Sequence, residues 1–451
     1  MAVDFPREIA LKIIFDVNEK GAYSNISINK NIEGHELRGI DKAFITELVY
    51  GTIKWRLSID SIIQQFSSIK LKKISPWIMN ILRLGVYQLF YMDRIPPSAA
   101  CNESVGLAKK YGHSASSGFV NAILRNIIRN KDKIKYPDKI NEPIRYLSVK
   151  YSHPEWMVKA WLERFGPEFT ESLLDSNNQI PEFSLRVNTL KITKDKLIEY
   201  FCETGVEAEA GKHITEAVVI RNPSSIAKLD AFKNGWFQVQ DESSMLVARV
   251  LDPKPGELIM DVCSAPGGKS THIAQLMEDR GTVISRDIHE HKIKLIEDSV
   301  KRLGINSIKT EMYDATDLDE NFIEKADRVL VDAPCTGLGI IRRKPDIKWG
   351  RNLEDKREIT VLQAKILKQS SQYVKPGGIL VYSTCTIEPE ENEEMVSRFI
   401  EENRDFEWAG FEELVPETLL KPSSKDGFIQ LYPNIDHIDG FFIAKMRKLT
   451  K

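Results

Sequence analysis

The sequence predicts three architectures in succession: an all-α helical bundle, a small α+β segment, and an α/β domain of the Rossmann-like class. Three observations carry this reading. Apolar residues recur at helical spacing through the first 135 residues. From Gln238 onward, short apolar runs alternate with amphipathic helices. The first of those runs enters an Ala-Pro-Gly-Gly turn that opens a helix, where backbone can approach a ligand closely.

In the first part, Ile9, Ile13 and Val17, then Ile78, Leu82 and Val86, then Phe119, Ile123 and Ile127 each mark one buried helix face. Ser75-Pro76 reads as a helix start, with proline at the first helical position. Ile95-Pro96-Pro97-Ser98 ends one helix and restarts another. Arg125 and Arg129 share a face, and Lys131, Lys133 and Lys135 follow, so the bundle has a basic edge. Residues 137–145 read as a linker and close a first domain at 1–140. The middle segment, 141–236, mixes short elements. Phe183–Asn188 alternates like a strand, Ile192–Thr204 reads as a helix, and Ala217–Ile220 as a second strand.

Residues 237–451 form the α/β part. Its apolar runs are Leu258–Val262, Thr282–Ser285, Ile308–Met312, Arg328–Val331 and Ile379–Tyr382, short enough and apolar enough for strands buried on both faces. Phe428–Leu431 and Gly440–Met446 read as a closing antiparallel hairpin.

Composition narrows the class. The chain has 451 residues, 42% of them hydrophobic, enough for a core in each domain. No apolar run approaches the roughly 18–20 residues that span a bilayer. Asp4 and Glu8 stand where a secretory signal would be basic and then apolar, so a cytosolic location is expected. The five cysteines are sparse and far apart, a pattern that predicts neither a metal site nor a disulfide framework. His289 and His291 read as surface residues rather than ligands. Net charge is −2, but residues 1–150 carry 23 Lys and Arg against 14 Asp and Glu, a balance of +9. That asymmetry is the footprint of phosphate contact and equally of solvated helix faces.

The sharpest local signal runs from Glu257 to Ser270. A buried strand enters Cys263-Ser264-Ala265-Pro266-Gly267-Gly268-Lys269, and a helix begins near Ser270. Its N-terminus offers free N–H groups and the positive end of a dipole. The spacing is neither that of the P-loop nor GxGxxG. Asp287 ends the second strand, where a carboxylate accepts from ribose hydroxyls, and Asp314 follows the third, at the position of an adenine edge. Together these predict an adenosine-containing ligand with no triphosphate. The fourth strand ends Asp332-Ala-Pro-Cys335 and the fifth Ser383-Thr-Cys385. If those strands are neighbours, both thiols face one cleft beside the ligand.

These residues carry a resemblance. Cys263–Lys269, Asp332-Ala-Pro-Cys335-Thr-Gly-Leu-Gly, Arg342-Arg-Lys-Pro-Asp-Ile-Lys-Trp349 and Tyr382-Ser-Thr-Cys385 with Pro389-Glu-Glu-Asn392 resemble the RNA cytosine-C5 methyltransferases, in particular the Sun/Fmu type that acts on ribosomal RNA. The first 140 residues resemble the NusB-like domain of that type, and Arg186-Val-Asn-Thr-Leu-Lys191 the start of its middle segment. Ser264 and Thr336 stand where family members often have Ala and Ser. The resemblance implies a class I S-adenosylmethionine-dependent methyltransferase fold and 16S rRNA as partner. It implies that Cys263, Ser264, Ala265, Pro266, Gly267, Gly268, Lys269, Asp287, Asp314 and Asp332 line the S-adenosylmethionine site. It also implies that Cys385 is the nucleophile and that Cys335 assists product release.

The chemistry suits those residues. C5 of cytosine is a poor nucleophile until a thiolate adds at C6, and cysteine is both a strong nucleophile and a usable leaving group. Asp332 is placed to hydrogen-bond the base edge and stabilise the adduct; Cys335 and Asp332 are both candidates for removing the C5 proton. The base must leave its stack to meet thiol and methyl, which favours a loop nucleotide. Arg342, Arg343, Lys344 and Lys348 are candidates for gripping phosphates, with Trp349 to stack, although a packed Trp349 fits the same letters. Glu390, Glu391, Glu393 and Glu394 read as an acidic helix start. Two other classes stay open at this level: a non-catalytic RNA-binding factor, and a methyltransferase acting on an exocyclic amine. Another RNA, tRNA or 23S rRNA, stays open as substrate.

Overall fold

The computed structural model describes residues 4–221 and 226–450. The chain forms two compact units, Met1–Gln179 with Ile341–Gly350, and Ile180–Ile340 with Arg351–Lys451. Among the described residues no helix is long and apolar enough to cross a membrane.

The first unit is helical: α1 (Phe5–Lys20), α2 (Ser24–Glu33), α3 (Gly39–Lys54), α4 (Arg56–Phe66), α5 (Pro76–Tyr91), α6 (Pro97–Tyr111), α7 (Ser116–Arg129), α8 (Pro143–Tyr151) and α9 (Glu155–Ser176). Asp4 caps α1 by accepting from the Arg7 N–H, with proline in the first turn. α5 begins at Pro76 as expected, and its residues Ile78 to Gln88 are buried on every face. A helix buried all round belongs at the centre of a bundle, and α5 packs against α1, α3, α4, α6 and α7, with its buried Arg83 paired to Asp60. α7 is one-sided: Val120, Ile123, Leu124 and Ile127 are buried, while Arg125 and Arg129 are exposed. α8 and α9, part of the expected middle segment 141–236, pack with this unit. Ser58 Oγ donates to the Val149 carbonyl, and the Leu57 N–H donates to Ser152 Oγ at 3.0 Å.

The second unit opens with β1 (Phe183–Val187), α10 (Lys194–Glu203), β2 (Ala208–Ala210), β3 (Ala217–Ile220), α11 (Asp230–Lys233) and β4 (Phe237–Val239). Its strands form an antiparallel sheet in the order β2-β3-β1-β4. There follow α12 (Glu242–Leu251), β5 (Leu258–Asp261), α13 (Gly268–Leu276), β6 (Thr282–Asp287), α14 (Glu290–Leu303), β7 (Ile308–Met312) and β8 (Ala326–Asp332). Residues 341–350, with α15 (Ile347–Gly350), then leave for the first unit. The chain returns with α16 (Leu353–Ser371), β9 (Val374–Thr384), α17 (Glu393–Glu402), β10 (Phe406–Trp408), β11 (Phe428–Leu431), α18 (Pro433–Asp436) and β12 (Phe441–Lys448). The large sheet runs β10-β12-β9-β8-β5-β6-β7, with β11 on β12. β9, β8, β5, β6 and β7 are parallel; β12 returns antiparallel beside β9 and closes with β11 as the expected hairpin. Strand order reverses at β5, with β6 on one side and β8 on the other. Ligands of open α/β sheets bind at that switch, outside the carboxyl ends.

The excursion 341–350 corrects one expectation. Lys348 and Trp349 are anchors rather than free contacts for RNA. Trp349 Nε1 donates to the Ile53 carbonyl at 2.8 Å. Lys348 is fully buried, and its Nζ donates to the Lys54 carbonyl at 2.9 Å and to Asn178 Oδ1 at 3.3 Å. Burial pushes that ammonium well below the usual lysine range, with Lys54 adding repulsion. Asp346 accepts from Ser24 Oγ at 2.5 Å. Arg342 is also buried, which leaves Lys344 as the exposed cation of the four.

Candidate active site

β5 ends in Asp261, and the next residues must turn sharply to start α13 on the sheet face. Gly267 makes that turn in left-handed backbone, φ 93°, a conformation that costs any L side chain. A Cβ there would also lie 3.1 Å from Ile296 Cγ2. Beneath the loop, fully buried Arg186 of β1 donates to the Gly268 carbonyl (2.5 Å), to Thr271 Oγ1 (2.9 Å) and to Gln240 Oε1. Burial pulls its guanidinium down to about 9. The small sheet thus braces the turn from below, and the sequence carried no sign of this beyond Arg186 itself.

A cavity of about 420 Å³ opens at the carboxyl ends of these strands. That is a volume suited to a cofactor-sized ligand. Cys263 and Ala265 of the loop line it, together with Asp287, Asp314, Asp332, Cys335 and Cys385. Ile288, Lys292, Tyr313 and Leu362, which sequence reasoning missed, line it as well. Ser264 is turned inward: its N–H and its hydroxyl both donate to the Arg286 carbonyl, each at 2.8 Å, so it braces the loop. Lys269 Nζ donates to Asp332 Oδ2 at 2.6 Å, and Ser383 Oγ donates to Asp332 Oδ1 at 2.8 Å. Asp287 Oδ1 accepts from the His289 N–H at 3.1 Å, and Asp314 Oδ1 from the Thr316 N–H at 2.8 Å. A cavity lined by the loop at Cys263 and Ala265, with carboxylates after β6 and β7, fits an adenosine ligand, whose hydroxyls and amine donate to them; Gly267 and Gly268 shape the turn without lining the cavity.

β8 and β9 are parallel neighbours, with Asp332 opposite Ser383. The two thiols beyond their ends therefore meet, with Cys335 Sγ 3.2 Å from Cys385 Sγ. The hydrogen bond to Cys385, then burial, raises the Cys335 thiol well above its ordinary range. A pair this close loses its first proton much more readily than its second, so a Cys335 thiol can donate to a Cys385 thiolate. Cys263 is also pushed up, by burial and then by Asp261, Asp332 and Asp287, which keeps it a neutral thiol. Burial raises Asp261 to about 7 despite the Ser270 hydroxyl at 2.6 Å. His272 is fully buried against Glu216 at 2.8 Å, and burial pulls it down to about 4.

Glu391 departs from the expected acidic helix start. Glu393 and Glu394 do occupy the first turn of α17, but Glu391 is fully buried and accepts from Thr336 and Gln363. His289 and His291 are exposed and stack on each other, ring centroids 5.4 Å apart. Among the described residues no group of three or more His, Cys, Asp or Glu is arranged to hold a metal ion.

Comparison with known proteins matches residues 248–447 to the family described as 16S rRNA methyltransferase RsmB/F. Residues 5–129 match the NusB family, and residues 153–227 the RsmF/B-like ferredoxin-like domain. The chain is 42% identical over 444 residues to the probable ribosomal RNA small subunit methyltransferase B of Bacillus subtilis (strain 168), covering 98% of each chain. It is 33% identical over 447 residues to ribosomal RNA small subunit methyltransferase B of Klebsiella pneumoniae, again covering 98% of each. Among solved structures, PH0851 superposes with TM-score 0.83 at 28% identity, covering 99% of this chain and 100% of that one. NSun6 from Pyrococcus horikoshii with SFG superposes with TM-score 0.59 at 25% identity, covering 66% of this chain and 99% of that one.

Proposed function

Because this chain belongs to the RsmB/F family of 16S rRNA methyltransferases, we propose that it methylates C5 of one cytosine in 16S rRNA, using S-adenosylmethionine and a covalent Cys385–C6 adduct. The observation that carries the reading is the pair of thiols, 3.2 Å apart, in the same cavity as Cys263 and Ala265 of the loop and three carboxylates. An amine methyltransferase has no use for a nucleophilic thiol, still less for two.

When bound, S-adenosylmethionine supplies an electrophilic methyl group on a sulfonium. The remaining work falls to side chains of this chain. Asp287 accepts from the ribose hydroxyls and Asp314 from the adenine edge, while the loop at Cys263 and Ala265, shaped by the Gly267–Gly268 turn, lines the cavity beside them. Cys385 adds as thiolate to C6 of the flipped base, which makes C5 enamine-like. Its thiolate is stabilised by the neutral Cys335 thiol donating to it. Asp332, fixed between Lys269 and Ser383, takes the base edge and stabilises the charge that develops there. After transfer a base removes the C5 proton, and the Cys385–C6 bond breaks to release the product. Cys335, whose Sγ lies 3.2 Å from Cys385 Sγ, assists that release by donating its thiol proton to the departing Cys385 thiolate, while the C5 proton goes to a base such as the Asp332 carboxylate. The exposed Arg125 and Arg129 of α7, beside a cleft lined by Lys109 and Lys110, provide the phosphate contacts that hold a large RNA.

The test is a map of 5-methylcytosine in 16S rRNA from cells with the protein, without it, and with Cys385→Ala. One site should vanish in the second and third. A site that persists with Cys385→Ala, or a lost mark on an exocyclic amine, would overturn the assignment.

A further inference from the structure

The two thiols sit on different loops, and nothing in a strand pairing sets the distance between side chains that lie beyond the strand ends. A buried polar network does. Glu391, fully buried, accepts at Oε2 from the Thr336 N–H (2.9 Å) and from Gln363 Nε2 (3.0 Å), and at Oε1 from Thr336 Oγ1 (2.5 Å). Gln363 Nε2 also reaches the Pro334 carbonyl at 2.9 Å. One carboxylate thereby holds the residue after Cys335 directly and the residue before it through Gln363.

The next residue does the same for the other thiol. Asn392 Oδ1 accepts from Thr384 Oγ1 (2.6 Å), and its Nδ2 donates to the Thr386 carbonyl (3.1 Å) and to Gln430 Oε1 (2.8 Å). Thr384 and Thr386 flank Cys385. The two halves are joined, because Thr386 Oγ1 lies 2.8 Å from Thr336 Oγ1. Since the Thr336 hydroxyl proton goes to Glu391, Thr386 must be the donor in that contact. The relay therefore runs from Thr386 through Thr336 to Glu391, and all its members are buried. Buried carboxylates and amides are costly unless partnered. Among the described residues, both oxygens of Glu391 and both polar atoms of Asn392 are partnered, Gln363 Oε1 is not, and the partners include the chain neighbours of both thiols.

We propose that Glu391 and Asn392 are positioning residues that set the register between Cys335 and Cys385, so that the second thiol stands where the adduct must be resolved. The proposal rests on the two-thiol reading for its catalytic consequence, but the register itself can be measured without it. In glutathione buffers one glutathione disulfide oxidises the pair to a Cys335–Cys385 disulfide and leaves as two glutathiones, and the equilibrium constant reports how well the thiols face each other. Glu391→Gln and Asn392→Asp keep volume while breaking the donor–acceptor match. Each should lower that constant by about tenfold or more. In single-turnover methylation Glu391→Gln should also accumulate RNA–protein adduct on denaturing gels, the outcome expected of Cys335→Ala, while the first methyl transfer stays fast. If Glu391→Gln fails to fold, Thr336→Val, which removes the bridging hydroxyl alone, takes its place. An unchanged disulfide constant in a folded Glu391→Gln or Thr336→Val protein overturns the proposal. A lowered constant with no adduct in either Glu391→Gln or Cys335→Ala keeps the brace and overturns the release role of Cys335 instead.

Discussion

Asp287→Ala isolates the cofactor half of the site. Among the described residues, the polar contacts of this carboxylate, the His289 N–H at 3.1 Å and Lys292 Nζ at 3.5 Å, fall on Oδ1. The lone pairs of Oδ2 are left for a ligand. One or two hydrogen bonds to a charged acceptor contribute about 1.5–3 kcal/mol each before water reclaims the freed hydroxyls. A net loss of about 1–3 kcal/mol follows, or roughly 5- to 150-fold in Kd. Asp287→Asn keeps one acceptor and adds a donor that a ribose hydroxyl can meet, so its loss should sit near the lower end of that range. Calorimetry with S-adenosylhomocysteine on the full chain measures both, with thermal unfolding as the control for folding. If folded Asp287→Ala binds as tightly as the wild type, Asp287 merely closes the turn to α14, and the placement of the ribose is wrong.

Cys385→Ala should abolish methyl transfer in single turnover while S-adenosylhomocysteine binding stays near that of the wild type. Cys335→Ala should trap covalent RNA that survives denaturing electrophoresis, and adding Cys385→Ala should remove the trapped species; RNA retained in the double variant would mean another nucleophile. Replacing Arg125 and Arg129 together by Ala should flatten the salt dependence of RNA binding by about 1.4–1.8 in log–log slope, the release expected for two phosphate contacts; an unchanged slope would make α7 a solvated face. Burial alone would raise Glu8, but Lys110, Tyr111 and Lys12 outweigh it and hold the carboxyl at about 2. A folded value below the unfolded one stabilises above the unfolded pKa and is lost as pH falls toward the folded one. The stability gap between wild type and Glu8→Gln, about 1–2 kcal/mol at neutral pH after screening by the half-exposed lysines, should therefore close between about pH 5 and pH 2. A gap constant across that window in thermal unfolding would refute it.

Features that depend on near neighbours along the chain were legible in the amino-acid order alone. Alternation placed β1, short apolar runs placed β3 and β5 to β9, and helical spacing placed α1, α5 and α7, because buried faces repeat with the period of the element and a strand buried on both faces is apolar throughout. Gly267 was legible because few residues other than glycine turn so tightly. Cys335 and Cys385 were legible because strand ends are where an α/β sheet presents chemistry. The sequence did not show that β8 and β9 are adjacent; that pairing, fifty residues apart, is what brings the two thiol-bearing loops side by side. It also did not show that Lys348 is committed to the Lys54 carbonyl, 294 residues away, so an anchor read as a phosphate contact. Glu391 read as one more acid at a helix start, since its donors Thr336 and Gln363 lie on other elements. Ser264 read as a ligand contact because nothing local says which way a hydroxyl turns. In each case the residue type states which bonds a side chain can make, and tertiary packing, by removing water, decides which partner must make them.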